Sequence, residues 1–177
     1  SVAAGTSGNG YYQARNNNIG GVIGATFSTN LSNLTNRADL NCSRMNPKNT
    51  ATLSMGGVIG KIEATSGEND GKGNIVNLAR IESNHEQYDN QYTAIGGVIG
   101  EAKCSVKGVV NEGSALYTIK KASAIYKHIW VGGVVGYASG VLTLTSLENQ
   151  GTAVINISES IDKQHFNLCV GGILGTN

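Results

Sequence analysis

The residue types that most often carry out catalysis or bind metals are present in this chain, but their spacing forms no recognisable site. The chain has 12 acidic residues and 3 histidines. The acidic residues lie at different distances from the repeated motif described below, so no pair resembles the two carboxylates of a glycosidase. His85, His128 and His165 also lie at unlike positions, which argues against a metal cluster and a Ser/His/Asp set. The sequence therefore predicts a protein that is not an enzyme and that needs no cofactor.

Two weaker patterns concern metals. Cys42, Cys104 and Cys169 form no close pair, which disfavours a thiolate zinc site and a disulfide framework. We expect them to be small buried apolar residues. Residues 66–73 contain acidic and amide side chains followed by a glycine, as in a calcium loop, but the spaced ligand series with a distal glutamate is absent. This stretch is therefore predicted to be a solvated turn within a loop.

Aromatic and basic residues give the most suggestive local chemistry. Residues 113–147 contain no acidic residue. An outward tryptophan on a stiff strand suits stacking against a sugar or anchoring a protein contact, although it can equally pack under a neighbouring loop. The candidate contact residues in this stretch are Trp130, Tyr126, Tyr137 and Lys127.

A repeated motif defines the strands and turns that position these residues. The pentapeptide GGVIG occurs at residues 20–24, 56–60 and 96–100, GGVVG at residues 132–136 and GGILG at residues 171–175. Its first glycines, at separations of 36, 40, 36 and 39 residues, are Gly20, Gly56, Gly96, Gly132 and Gly171. Repeats of this length indicate a solenoid or a propeller.

A second marker recurs once between successive pentapeptides. It consists of an apolar residue, any residue, an asparagine, any residue, and then alanine or glycine. The asparagines are Asn36, Asn77, Asn111 and Asn149. In a stacked solenoid such residues can form a hydrogen-bonded amide ladder and tolerate left-handed backbone angles. The alternative is an exposed amide row that binds sugar hydroxyls.

Composition favours an all-β chain. Charged residues make up only 14% and glycine contributes 25 residues, so stability must come largely from regular backbone hydrogen bonding. We predict a β-solenoid of about four and a half repeats, because a propeller blade needs four strands and the repeat leaves room for about three. Residues 1–18 would be a lead-in or cover segment, and residues 19–177 the repeat domain, as a fragment of a longer protein.

The pentapeptide itself reads as one strand. Alternation then places the second glycine inward and turns the valine outward. Val22, Val58, Val98, Val134 and Ile173 would form an external apolar stripe. Such a stripe is expected to be covered by a partner or by another segment, unless the glycines bend the chain and bury both faces.

The alternation of this pentapeptide with the asparagine marker resembles the GLUG-type glycine-rich repeats of bacterial, Bacteroidales-like surface adhesins. The resemblance implies a right-handed parallel β-helix on an exported protein that is secreted or anchored at the outer membrane. It implies only scaffold roles for the repeated glycines and asparagines. Expected partners are a host or bacterial surface protein or glycan, and flanking domains of the parent protein.

Two functions follow as expectations. The first is a non-enzymatic surface module for adhesion or for a structural stalk or spacer, and the second is a domain that binds glycans or, less readily, cleaves them. A net charge of +1 disfavours nucleic acid as a partner. No apolar run approaches the roughly 20 residues of a transmembrane helix.

Overall fold

The computed structural model describes residues 2–4, 16–43, 52–65, 67–85, 92–119, 127–140, 142–157 and 166–176. These residues form β-strands and turns without a helix. The strands are β1 (Val2–Ala4), β2 (Asn16–Gly20), β3 (Ile23–Thr26), β4 (Leu34–Asn36), β5 (Leu40–Ser43), β6 (Thr52–Gly56), β7 (Ile59–Ile62), β8 (Glu68–Asn77), β9 (Arg80–His85), β10 (Tyr92–Gly96), β11 (Ile99–Ala102), β12 (Ser105–Asn111), β13 (Ser114–Ile119), β14 (Lys127–Gly132), β15 (Val135–Ala138), β16 (Leu144–Asn149), β17 (Thr152–Ile157), β18 (Phe166–Gly171) and β19 (Leu174–Thr176).

The strands form four parallel sheets, and each repeat supplies one strand to every sheet. Sheet 1 has the order β18-β14-β10-β6-β2, and sheet 2 has the order β19-β15-β11-β7-β3. Sheet 3 is β16-β12-β8-β4, and sheet 4 is β1-β5-β9-β13-β17. We call the four-strand sets β2–β5, β6–β9, β10–β13 and β14–β17 turns 1 to 4. Strand β1 precedes turn 1 in sheet 4, and strands β18 and β19 follow turn 4 in sheets 1 and 2.

The β-solenoid prediction is confirmed, although the number of strands per repeat was underestimated. Each repeat has four strands instead of about three. A propeller is excluded because every strand pairs in parallel with the equivalent strand of the next repeat, as Ile95 does with Met55 and Val131. Neighbouring turns are therefore separated by the strand spacing of about 4.8 Å. The right-handed sense stays a prediction.

The pentapeptide is a corner between two strands, and the prediction that it forms one strand is wrong. In turn 2, β6 ends at Gly56, Gly57 and Val58 form a bend, and β7 begins at Ile59. The carbonyl of Val98 in turn 3 accepts hydrogen bonds from the N–H groups of both Val58 and Ile59 at 2.9 Å. The same pattern recurs from turn to turn, so the corners stack directly on one another.

This bend places the valines in the core. Val58, Val98 and Val134 are fully buried and pack with Ile59 and other residues of sheets 2 and 3. The predicted external stripe is therefore wrong, and the open alternative, a bend that buries both faces, is correct. Only the members at the two ends, Val22 at 46% and Ile173 at 37%, are exposed.

The core consists of two apolar clusters on either side of the stacked corners. One joins sheets 1 and 4 and includes Met55, Ile81 and Tyr117. The other joins sheets 2 and 3 and includes Ile59, Ile75 and Val98. Sheets 1 and 2 thus bury one face each against a different partner sheet, and their opposite faces meet each other.

The marker asparagines form the predicted amide ladder. Nδ2 of Asn36 donates to Oδ1 of Asn77 at 3.0 Å, Asn77 donates to Asn111 at 3.0 Å, and Asn111 donates to Asn149 at 2.8 Å. Each side chain also bridges the bend that follows it, between sheets 3 and 4. For example, Oδ1 of Asn77 accepts from the N–H of Ala79, and its Nδ2 donates to the Ala79 carbonyl.

Burial of the ladder decides between its two predicted roles. Asn36, Asn77 and Asn111 are at most 3% exposed, so a sugar-binding amide row is wrong. The ladder asparagines are not in the left-handed backbone region either, since among the described non-glycine residues only Asn33 and Ser146 have positive φ. The ladder is structural, and it stacks against the corner glycines.

Two predicted boundaries change. Val2–Ala4 forms β1, which pairs with β5, so the solenoid begins before residue 19. Residues 66–73 do not form a solvated turn throughout, because β8 begins at Glu68 and pairs with β12. A register shift lies between Lys107 and Val109 of β12, where β8 has several additional residues.

Candidate functional site

The faces of sheets 1 and 2 that meet each other carry a group of polar and aromatic side chains that pack together. We call this group the arch cluster. Its members are Ser54, Lys61, Glu63, Tyr92, Glu101, Lys103, His128, Trp130 and Tyr137. The members on β6, β10 and β14 precede the glycine corner and the others follow it, so the corner brings them together.

Glu101 is the centre of the polar half. Its Oε2 accepts hydrogen bonds from Ser54 Oγ at 2.9 Å and from the Tyr92 hydroxyl at 2.8 Å. Lys61 Nζ lies 3.2 Å from the same oxygen. The side chains of Lys61 and Glu101 are only 8% and 2% exposed. A buried carboxylate is stable here because a cation and two hydroxyl donors replace its hydration.

Two further ion pairs extend this network toward solvent. Lys61 Nζ lies 3.5 Å from Glu63 Oε1, and Lys103 Nζ lies 3.0 Å from Glu63 Oε2. The chain of contacts therefore runs from Glu101 through Lys61 and Glu63 to Lys103, with the charges alternating in sign. Each charge faces an opposite one, so the four side chains neutralise one another.

This arrangement shifts the pKa of two groups. Burial alone would raise the pKa of Glu63, but the hydrogen bond from Lys103 and the charges of Lys61 and Lys103 lower it overall. Burial, and then the charge and hydrogen bond of Glu101, raise the pKa of Tyr92 to about 12. Ionising Tyr92 would place a second negative charge beside Glu101, so the phenol stays protonated and serves as a donor.

The aromatic half of the arch cluster comes mainly from turn 4 and lies next to the polar half. The centroid of Trp130 lies 4.3 Å from that of Tyr137, 5.5 Å from that of Tyr92 and 5.4 Å from that of His128. Trp130 itself is 9% exposed, whereas Tyr92 and Tyr137 are half-buried and His128 is exposed. The rings pack on one another, so Trp130 is largely covered by its neighbours and contributes to packing.

The structure brings together only some of the predicted contact residues. Trp130 and Tyr137 are neighbours in the arch cluster. Tyr126 lies outside the described residues, and Lys127 begins β14, with no description of its side chain. The remaining predicted contacts, Val58, Val98 and Val134, are core residues and are not available to a partner.

The charged members of the arch cluster were missed in the sequence. KIE at residues 61–63 and EAK at residues 101–103 each follow a GGVIG pentapeptide directly. Aligning the repeats on this motif places Lys61 beside Glu101 and Glu63 beside Lys103, which would have revealed the pairs.

The described ranges contain neither a metal-ligand cluster nor a membrane-spanning helix. No group of three or more His, Cys, Asp or Glu side chains there could hold a metal ion. The predicted burial of cysteine holds for Cys104, while Cys169 is half-buried, and both are free thiols. Within the same ranges, no helix has the length and apolar character needed to cross a membrane.

Comparisons with known proteins assign no relative to this chain. No family model matches it, and neither a curated protein nor a solved structure matches it significantly.

Proposed function

We propose that this chain is a non-enzymatic repeat module of a bacterial cell-surface protein and that it acts as a stalk or spacer or in adhesion. The observation that carries the proposal is the stack of similar glycine corners, in which amides such as those of Asn77 and Asn111 and the paired glycines link one turn to the next. Such a stack is stiff along its axis and gains about 4.8 Å of length per turn.

The buried polar side chains bond to other turns of the same chain, which supports a scaffold role. The amides of Asn36, Asn77 and Asn111 and the carboxylate of Glu101 all bond to neighbouring turns. The resemblance of the glycine motif and the asparagine marker to GLUG-type repeats supports a location outside the cell. Membership in that family is part of the proposal.

The location can be tested with antibodies raised against the purified chain. Intact cells of the source organism should bind the antibody, and external protease should abolish the signal. A cytoplasmic protein in the same cells serves as the control for cell integrity. Signal that appears only after permeabilisation would contradict a surface location.

Adhesion and spacing can then be separated with the purified chain. An adhesive module should bind epithelial cells or immobilised surface extracts saturably. A spacer should show no saturable binding, yet it should lengthen the reach of a known binding head when inserted between that head and its anchor. If the chain does neither, the proposed function is wrong.

Glycan binding is a second candidate, favoured by the aromatic half of the arch cluster. Exposed His128 and half-buried Tyr137 offer ring surface suited to a sugar. On a glycan array, binding that is lost in His128→Ala and Tyr137→Ala but retained in Glu112→Ala, an exposed position elsewhere, would support this function. Absence of binding by the unmodified chain would exclude it for the glycans on the array.

A further inference from the structure

Two features that join the turns of this chain recur unchanged and cannot distinguish one neighbour from another. Turns 1, 2 and 3 carry an identical GGVIG corner. The asparagine ladder likewise offers the same donor and acceptor at each turn. Turn 3 could therefore stack on turn 1 with turn 2 excluded as a loop, because the entropic cost of closing a loop grows only slowly with its length.

The charges of the arch cluster do distinguish the turns. Turn 2 has Lys61 and Glu63 after its corner, whereas turn 3 has Glu101 and Lys103 at the same two places, in the reverse order. Lys61 and Glu101 are direct partners in the parallel register. The two turns are therefore complementary to each other, while each would place like charges against a copy of itself.

The neighbouring turns lack this complementarity. In turn 1, Ala25 occupies the place of Lys61. In turn 4, Tyr137 occupies the place of Glu101. Turn 1 also has Phe27 directly after Thr26, which is the partner of Ile62, so it has no acidic residue at the place of Glu63.

We propose that Lys61, Glu63, Glu101 and Lys103 form a register code that selects turn 2 as the neighbour of turn 3 when the solenoid assembles. In a stack that skipped turn 2, Glu101 would face Ala25. The nearby Asn18 could offer a neutral hydrogen bond but no cation. A buried carboxylate without a cation is strongly disfavoured, and buried polar groups of this kind are best known for fixing register.

Hydroxyl donors on two turns add to this selection. Ser54 of turn 2 donates to Glu101, whereas the equivalent residues in turns 3 and 4 are Ala94 and Trp130. Tyr92, which belongs to turn 3 itself, donates to the same carboxylate oxygen. Glu101 is thus fully satisfied only with turn 2 on one side and its own Tyr92 on the other.

Cysteine cross-linking can report the register directly. Glu82 and Leu116 are partners on adjacent strands of sheet 4, and Asn41 is the partner of Glu82 on the other side. Cysteines at 82 and 116 would lie about 4.8 Å apart, within reach of a disulfide. Cysteines at 41 and 116 would be about twice as far apart and would cross-link only if turn 3 lay on turn 1.

The test compares charge arrangements in a background whose native cysteines are replaced by alanine. The half-reversed variant, Lys61→Glu with Glu63→Lys, places like charges between turns 2 and 3. The fully reversed variant adds Glu101→Lys and Lys103→Glu and restores complementarity. Neither set of charge substitutions changes the net charge of the chain into which it is introduced. A neutral variant with glutamine at all four positions removes the code without introducing repulsion.

Each charge arrangement is prepared once with cysteines at 82 and 116 and once with cysteines at 41 and 116. All chains are refolded and oxidised under identical conditions, and the cross-linked fraction of each is quantified. We expect the half-reversed variant to lower the ratio of the 82–116 to the 41–116 cross-link by roughly tenfold or more, because like charges in contact oppose association strongly. Full reversal should restore the ratio. In the fully reversed variant, the hydroxyl oxygens of Ser54 and Tyr92 can accept hydrogen bonds from the lysine at position 101.

The neutral variant keeps the test decisive if the half-reversed chain fails to fold. It should retain β-structure by circular dichroism. It should also form a measurable 41–116 cross-link, whereas the chain with the native charges should not. The proposal is overturned if the neutral variant gives only the 82–116 cross-link. It is also overturned if full reversal does not restore the ratio.

Discussion

A Cβ atom placed on Gly97 would overlap both the carbonyl oxygen of Gly133 and the side-chain amide of Asn111. The corner of turn 3 is thus pressed against the corner of turn 4 on one side and against the asparagine ladder on another. The same contacts recur at Gly57, where the neighbours are Gly97 and Asn77. Two sequence markers that are far apart in each repeat therefore meet in the folded chain, and neither can change alone.

We expect Gly97→Ala to destabilise the fold by about 1 to 3 kcal/mol, because the added methyl group forces a shift of backbone or of a ladder side chain. Gly172, at the same motif position after β18, has no atom within 4 Å of an added Cβ, so Gly172→Ala is the matched control. Chemical denaturation measures both. Equal midpoints for the two variants would show that the corner is not close-packed.

Removal of one ladder amide should cost more than an ordinary hydrogen bond. Asn77→Ala leaves Asn36 Nδ2, Asn111 Oδ1 and the Ala79 carbonyl without their buried partner. We expect a loss of about 2 to 4 kcal/mol in the free energy of unfolding. Gln150→Ala, at an exposed position beside the ladder, should change it little. A small effect at Asn77 would contradict a structural ladder.

Ser146 offers a stabilising substitution. It adopts φ 50°, and in the register of sheet 3 it lies opposite Gly108, which adopts φ 68°. A left-handed residue other than glycine costs roughly 1 to 2 kcal/mol, against about 0.5 to 1 kcal/mol for the entropy of glycine. Ser146→Gly should therefore raise the melting temperature, whereas Thr145→Gly in the same strand should lower it.

Tyr92 should make the fold sensitive to alkali. Its pKa is raised to about 12 from 10.0 in the unfolded chain, so the folded state holds the proton more tightly. The resulting stability is fully present below pH 10 and is lost as pH rises toward 12. Thermal unfolding over this range should show a smaller decline in Tyr92→Phe than in the unaltered chain. Tyr137→Phe, which keeps Tyr92, should retain the full decline.

The repeat, the strand class and the amide ladder could be predicted from the sequence. Asn77 and Asn111 recur at a fixed place in each repeat, and in-register stacking then brings identical side chains together whatever the shape of the turn. The fourfold marker and the fivefold pentapeptide therefore determined a solenoid with about four and a half repeats.

The direction of Val58 and the pairing of Lys61 with Glu101 were decided only by tertiary structure. Parity arguments assume an extended chain, but the bend at Gly57 reverses the sides on which successive residues lie and so buries Val58 with Ile59. The same bend folds sheet 1 against sheet 2, which covers Trp130 with Tyr137 and brings Ser54 to Glu101. The glycine pair permits this bend but does not require it, and the bend determined which residues became core, which became paired charges and which remained at the surface.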